Sequence, residues 1–204
     1  MLLNGRSCLV VGGRITALQR VNELIRAGAL VSVIAPDIIS DLEALPITFH
    51  RRPFRNGDTA GFALVISATG DPEVDKAVHQ DGAATGALVN AVDNPASCDF
   101  YVPAVLHRGS LNVAISTGGA SPAIASWVRA RLDDVIHEHF GDVVDLVSEA
   151  RDRVRAEGLS SEGRPWADLI EQLTAVLDRG GGRAQCRELT MLWLQVELGK
   201  PTRA

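Results

Sequence analysis

Several short stretches of this chain combine residue types that chemistry uses. The first is the turn Val10-Val11-Gly12-Gly13-Arg14-Ile15-Thr16-Ala17. A dinucleotide fingerprint reads G-x-G-x-x-G/A: a tight turn, a glycine where backbone meets pyrophosphate, and a small residue for helix–strand packing. Gly12 fits the first position and Ala17 the third, while Arg14 stands where the second glycine belongs. A side chain there points away from a pyrophosphate or crowds it. The start of the following helix still offers free N–H groups and a positive dipole end. Arg14 is also placed to reach an adenosine 2′-phosphate. Taken alone, the motif is explained almost as well by an α/β turn that holds no nucleotide.

Asp37 lies about 20 residues beyond that turn, where a ribose-binding acid is expected. Following Pro36, it suits the N-cap of the next helix equally well. Asp93 follows the apolar run that ends Asn90-Ala91-Val92, which puts it at the carboxyl edge of a sheet, where open α/β folds bind ligands. A partly desolvated carboxylate there would serve as a general base; before Asn94-Pro95 it would serve equally as a turn residue. Ser116-Thr117-Gly118-Gly119-Ala120-Ser121-Pro122 joins hydroxyls, paired glycines and a helix start, as an anion cradle or a plain strand–turn–helix junction would. His137 and His139 are two apart and so point to different faces of a helix. His50, His79 and His107 show no metal-ligand spacing, and Cys8, Cys98 and Cys186 form no CxxC pair. Neither a metal site nor a disulfide framework is expected.

The elements that must position these residues follow from periodicity. Short apolar runs at Cys8–Val11, Ala29–Ala35, Ile47–His50, Leu64–Ala68 and Leu88–Val92 read as buried strands. Ile15–Ala27 carries apolar residues at Leu18, Val21, Leu24 and Ile25, a helical spacing closed by Gly28. Thr69-Gly70-Asp71-Pro72 marks another helix start. Strands alternating with helices at this spacing predict a right-handed parallel sheet. After Pro95 the pattern changes. Tyr101–Leu106 and Leu111–Ser116 read as an antiparallel pair turning through His107-Arg108-Gly109-Ser110. A helix opens at Ser121-Pro122 and is expected to run to about Phe140, with Ile124, Val128, Leu132 and Val135 on one face. Further helices are expected at Asp142–Ala156, Pro165–Leu177 and Gln185–Leu198. The fold class is therefore α/β: a Rossmann-like parallel sheet over 1–103, a small strand-containing region over 104–141, and a helical domain over 142–204.

The chain has 204 residues, 46% hydrophobic and only 4% aromatic, so its core is built from Ala, Val, Leu and Ile. A formal charge of -5 argues against a nucleic-acid binder, which shows a basic excess. Eighteen of the 20 basic residues are arginines, the side chain suited to carboxylate and phosphate. No stretch approaches the ~20 apolar residues of a membrane span, and the N-terminus lacks the pattern of a secretory leader. A cytoplasmic protein is expected.

Val10-Val11-Gly12-Gly13, Ser67-Ala68-Thr69, Asn90-Ala91-Val92-Asp93, Phe100-Tyr101-Val102-Pro103-Ala104 and Val113-Ala114-Ile115-Ser116-Thr117-Gly118-Gly119-Ala120-Ser121-Pro122 occur in this order. Together they resemble the precorrin-2 dehydrogenase / sirohydrochlorin ferrochelatase family, the N-terminal module of siroheme synthases, over roughly residues 3–142. The resemblance implies an NAD-binding Rossmann domain, a dimerisation region at 104–141 and a helical C-terminal part. It implies oxidation of precorrin-2 to sirohydrochlorin with NAD+ as hydride acceptor, and in some members ferrous iron insertion to give siroheme. The family's essential aspartate falls on Asp93. Its NAD contacts fall on Ile15, Thr16, Pro36 and Asp37, and Gly12, Gly13, Arg14, Ala68 and Thr69 are expected beside them at the cofactor. Asn90, Ser116, Thr117, Gly118 and Gly119 are expected at the tetrapyrrole, with Arg108, Arg129 and Arg131 as carboxylate clamps. A homodimer is expected, without nucleic-acid or membrane partners. The family reads Gly-Gly-Gly where this chain has Gly12-Gly13-Arg14. That departure keeps open a chelatase without dehydrogenase activity, or a regulatory protein that binds tetrapyrrole or nucleotide on the same scaffold.

Overall fold

The structure is a computed structural model that describes residues 2–199; residues 200–204 of the expected helical segment lie outside the described residues. Contacts divide the chain into two units between Val102 and Pro103.

The first unit is built on five parallel strands: β1 (Ser7–Val11), β2 (Leu30–Ala35), β3 (Thr48–Arg51), β4 (Leu64–Ser67) and β5 (Leu88–Ala91), in the order β3-β2-β1-β4-β5. Their β-branched runs are buried on both faces because helices cover both. Cys8 and Val10 of β1 join Val31, Val33, Leu64 and Ile66 on one face, against Ala17, Val21 and Leu24 of α1 (Ile15–Arg26). A short helix, α2 (Ser40–Glu43), follows β2. The alternate residues Leu9 and Val11 join Ile34, Val65 and Val89 on the other face, against Val78 of α3 (Pro72–Thr85). Full burial of one such Leu or Val contributes about 1.5–3 kcal/mol, so the sheet is the rigid part of this unit.

The order 3-2-1-4-5 matches five strands of the doubly wound dinucleotide-binding arrangement. Chain direction across the sheet reverses between β1 and β4, and in such folds the crevice outside these carboxyl ends receives ligands. α3 is aimed by its start: Asp71 accepts the Glu73 N–H at 2.9 Å and Pro72 fills the first turn.

The loop between β3 and β4 hangs on one buried carboxylate. Asp81 accepts Gly57 N–H at 2.7 Å, Thr59 N–H at 3.0 Å and the Thr59 hydroxyl at 2.7 Å. Burial alone would push its carboxyl up; the bonds from Thr59 and Gly57 more than offset this and hold it below the ordinary range. Because the folded carboxyl titrates lower than the unfolded one, its contribution is complete above the unfolded value near pH 4. It is lost as pH falls through the folded value. Asp81→Asn should cost about 1–3 kcal/mol at pH 7. In thermal melts the gap from wild type should narrow below pH 4, and a gap that stays constant to pH 3 would refute the assignment.

The second unit opens with the antiparallel hairpin β6 (Ala104–Arg108) and β7 (Leu111–Ile115), turning at Gly109-Ser110, so His107 and Arg108 belong to the strand and not to the turn. Four helices follow: α4 (Pro122–Asp133), α5 (Phe140–Ala156), α6 (Trp166–Asp178) and α7 (Arg183–Leu198). The last three share a core that includes Leu146, Val154, Leu169, Leu173 and Cys186. One expectation is corrected: α4 stops at Asp133, not near Phe140. Arg108 explains the stop. Its Nε donates to the Ile136 carbonyl at 2.7 Å, and Nη2 donates to the Asp133 carbonyl at 3.3 Å and carboxylate at 2.8 Å. The guanidinium takes carbonyls that a helix end leaves without partners. Ile124 and Val135 are exposed, Val128 and Leu132 half-buried, and Ala125 alone is buried among the residues of this helix. Among the described residues no helix is long and apolar enough to cross a membrane.

Candidate functional site

Three loops leave the sheet at one level along its carboxyl edge. Just past the strands the ladder continues one step, with Gly12 N–H donating to Ile34 O, Ala68 N–H to Val11 O and Val92 N–H to Ser67 O, each within 2.8–2.9 Å. Gly12, Ala68 and Val92 therefore mark the rim, and Asp93 follows directly.

The glycine turn is built by close backbone approach. Gly12 has φ +127, and a Cβ on it would stand 2.5 Å from the Ala68 carbonyl oxygen. A Cβ on Gly13 would stand 1.9 Å from the Asp37 carbonyl oxygen. Gly12 thus lets the β4 loop close over β1, and Gly13 lets the β2 loop do the same from the other side. Ala17 is fully buried where α1 meets the sheet, the small residue the fingerprint asks for. Arg14 is the N-cap of α1, exposed, with extended backbone (φ -107, ψ -169) and no side-chain cap bond. That backbone is open to any side chain, so the arginine occupies the place of the usual glycine without strain. Ile15 and Thr16 are exposed at the first turn, whose N–H groups have no intrahelical partners. This cradle fits the pyrophosphate of a dinucleotide: close-packed glycines, free N–H donors, the positive end of a twelve-residue helix and an exposed cation.

Pro36 and Asp37 are exposed just beyond β2. The N-cap of α2 is Ile39, which corrects the reading of Asp37 as a helix cap and leaves its carboxylate at the sheet edge. Ala68 is buried; the Thr69 hydroxyl donates to Asp75 at 3.0 Å and accepts the Asp71 N–H at 3.1 Å. Asp75, buried on α3, also accepts the Ser67 hydroxyl at 2.7 Å. The sequence reading missed Asp75, because nothing local signals that an acid on a helix braces the end of a strand.

Asp93 is the one non-glycine residue with positive φ, +61, among the described residues. Its side chain is exposed, which corrects the expectation of a partly desolvated carboxylate: β5 ends at Ala91 and the turn carries residue 93 outward. Asparagine and aspartate tolerate this left-handed region best among non-glycines, yet at a cost. Non-glycine residues held there cluster at functional sites. Asn90 is buried, and its amide donates to Phe100 O at 2.8 Å, so it anchors the loop rather than facing outward.

Residues of the second unit expected at substrate are placed as follows. Ser116 is exposed and its hydroxyl accepts the Gly118 N–H at 3.2 Å. Thr117 Oγ1 accepts the Ser121 N–H at 3.0 Å. Gly118 and Gly119 are successive left-handed residues, φ 61 and 84, exposed ahead of α4. Arg108 is committed to the end of α4, its side chain 14% exposed. Arg129 is half-buried, and Arg131 lies over the Trp127 ring at 5.1 Å. Among the described residues, no group of three or more His, Cys, Asp or Glu is placed to hold a metal.

The fold and the turn define a doubly wound α/β domain of the dinucleotide-binding class, followed by a hairpin-and-helix unit. Residues 1–104 match the family model described as "Putative NAD(P)-binding", and the chain belongs to that family. Residues 108–134 match the model described as sirohaem biosynthesis protein central. Similar proteins include the siroheme synthase of Nitrosomonas europaea, 38% identical over 173 residues covering 81% of this chain and 36% of that protein. The siroheme synthase of Methylococcus capsulatus is 40% identical over 191 residues, 91% of this chain and 40% of that protein. This chain thus spans well under half the length of these relatives. A solved structure, SirC, precorrin-2 dehydrogenase, shares the fold with a TM-score of 0.73 at 24% identity, over 96% of both chains.

Proposed function

We propose that this chain binds NAD in the crevice outside β1 and β4 and oxidises precorrin-2 to sirohydrochlorin in siroheme biosynthesis. One observation carries the reading: an aspartate held in left-handed backbone at the same carboxyl edge as a dinucleotide turn. The names of the similar siroheme synthases and of the shared-fold dehydrogenase support it.

The oxidation takes a hydride and a proton from the macrocycle. NAD+, when bound, supplies the hydride acceptor. Gly12, Gly13 and the first turn of α1 receive its pyrophosphate, Arg14 adds positive charge there, and Pro36, Asp37, Ala68 and Thr69 form the neighbouring walls. Asp93 accepts the proton; its exposure leaves the carboxylate open to substrate. The substrate's carboxylates call for local positive charge on an acidic chain. Anaerobic incubation with precorrin-2 and NAD+ should yield the absorbance of sirohydrochlorin and of NADH together. No oxidation with either NAD+ or NADP+ would overturn the proposal.

Asp37 favours NAD over NADP, because a carboxylate at this edge pairs with a ribose hydroxyl and repels a 2′-phosphate. Asp37→Ala should narrow the preference for NAD+ by about tenfold, read from kcat/KM with each cofactor. An unchanged ratio would remove Asp37 from the site.

The working form is a homodimer in the cytoplasm; the exposed apolar Ile124 and Trp127 on α4 support the dimer. Ferrous iron enters as substrate of a second step, in which Asp93 accepts pyrrole N–H protons.

A further inference from the structure

The turn that carries Asp93 is braced by a single thiol. Cys98 Sγ accepts the Ala91 N–H at 3.3 Å and the Asn90 amide at 3.5 Å, and its one hydrogen faces Ala91 O at 3.2 Å and Asn94 O at 3.4 Å. The sulfur therefore grips backbone on both sides of Asp93, two residues before it and one after. The turn itself is closed by Asn94 N–H donating to Ala91 O at 3.2 Å. Burial pushes the Cys98 thiol up, and the charges of Asp99 and Asp75 add to this against the Ala91 N–H, so the sulfur keeps its donor hydrogen.

The remainder of the loop is anchored separately. Asp99 accepts the Val89 N–H at 2.8 Å and contacts His79 Nε2 at 3.1 Å, and Asp99 N–H donates to Val89 O at 2.7 Å. Asn90 holds Phe100 O. Removing the thiol would take away the one side-chain tie between Ala91 and Asn94 and leave the turn to its backbone bonds, Val92 N–H to Ser67 O, Asn94 N–H to Ala91 O and Ser97 N–H to Asn94 O.

Resting on the proposed role of Asp93, we infer that Cys98 is a positioning residue. It holds the Ala91–Asn94 turn in the left-handed form that presents the Asp93 carboxylate at the sheet edge. Small misplacements of a reacting group cost large factors in rate, whereas cofactor binding at the β1 turn does not depend on this loop.

The test compares Cys98→Ala and Cys98→Ser in the full chain. Cys98→Ala should lower kcat for NAD+-dependent precorrin-2 oxidation by about tenfold or more. KM and NAD+ affinity should stay within about twofold. Serine, which restores a donor and an acceptor, should recover most of the loss. Crystal structures should show Asp93 near its left-handed φ in wild type and Cys98→Ser, and out of it in Cys98→Ala. Wild-type kcat in Cys98→Ala, or an unmoved Asp93 in its crystal structure, overturns the assignment. So does a loss that serine leaves unrepaired while Tm and NAD+ affinity fall together, the mark of a packing role. If wild type itself oxidises no precorrin-2, the functional reading fails, and the Asp93 backbone in the two crystal structures still decides the clamp.

Discussion

Asp93→Asn should reduce precorrin-2 oxidation by about 100- to 10,000-fold, the range that a positioned general base supplies. Asparagine is the informative replacement because it tolerates left-handed backbone nearly as well as aspartate, so φ +61 can be kept. Its amide cannot take a proton. The expected signature is a collapse of kcat with unchanged Tm and unchanged NAD+ affinity, since the β1 turn is untouched. Asp93→Ala should lose turnover equally but melt lower, because alanine pays about 1–2 kcal/mol in left-handed backbone. The pair separates chemistry from strain. Normal turnover in Asp93→Asn would remove the carboxylate from the mechanism, whatever alanine does.

Much of the scaffold was legible because one physical rule dominates it. A strand buried on both faces must be a near-continuous apolar run, and Cys8–Val11, Leu64–Ser67 and Leu88–Ala91 are such runs. Helix ends were legible where the signal is local, as at Asp71-Pro72 and Gly28. The end of α4 was not, because it is set by Arg108, 25 residues earlier in the chain. Arg108 also shows why a residue type is a poor guide to its partner. A fork suited to a ligand's carboxylates is taken up here within the chain, by the Ile136 and Asp133 carbonyls and the Asp133 carboxylate. Asp93 could be placed at the sheet edge from the run before it, but neither its left-handed backbone nor its exposure has a local signature. Cys98 forms no CxxC pair that would single it out in the sequence, and its partners, backbone groups and the Asn90 amide, meet it only once the loop has closed.

Gly12→Ala should cost about 2–6 kcal/mol of stability and lower NAD+ affinity at least tenfold. Two effects add. At φ +127 any side chain is strained, by about 1–3 kcal/mol. The new methyl would also stand 2.5 Å from Ala68 O and 2.8 Å from Ala68 C, backbone that cannot swing aside as a flexible side chain would. Overpacking of this kind costs about 1–3 kcal/mol, and relief requires the β4 loop to move off β1. That movement opens the wall formed by Ala68 and Thr69, so binding falls together with stability. Gly57→Ala is the control, because Gly57 has φ +95 with nothing within 4 Å of an added Cβ. It should show the backbone cost alone and leave NAD+ binding intact. Titration of NAD+ by calorimetry alongside thermal melts separates the two glycines. Equal losses in both would mean that backbone strain, and not the approach of the β4 loop, is what the glycine at position 12 relieves.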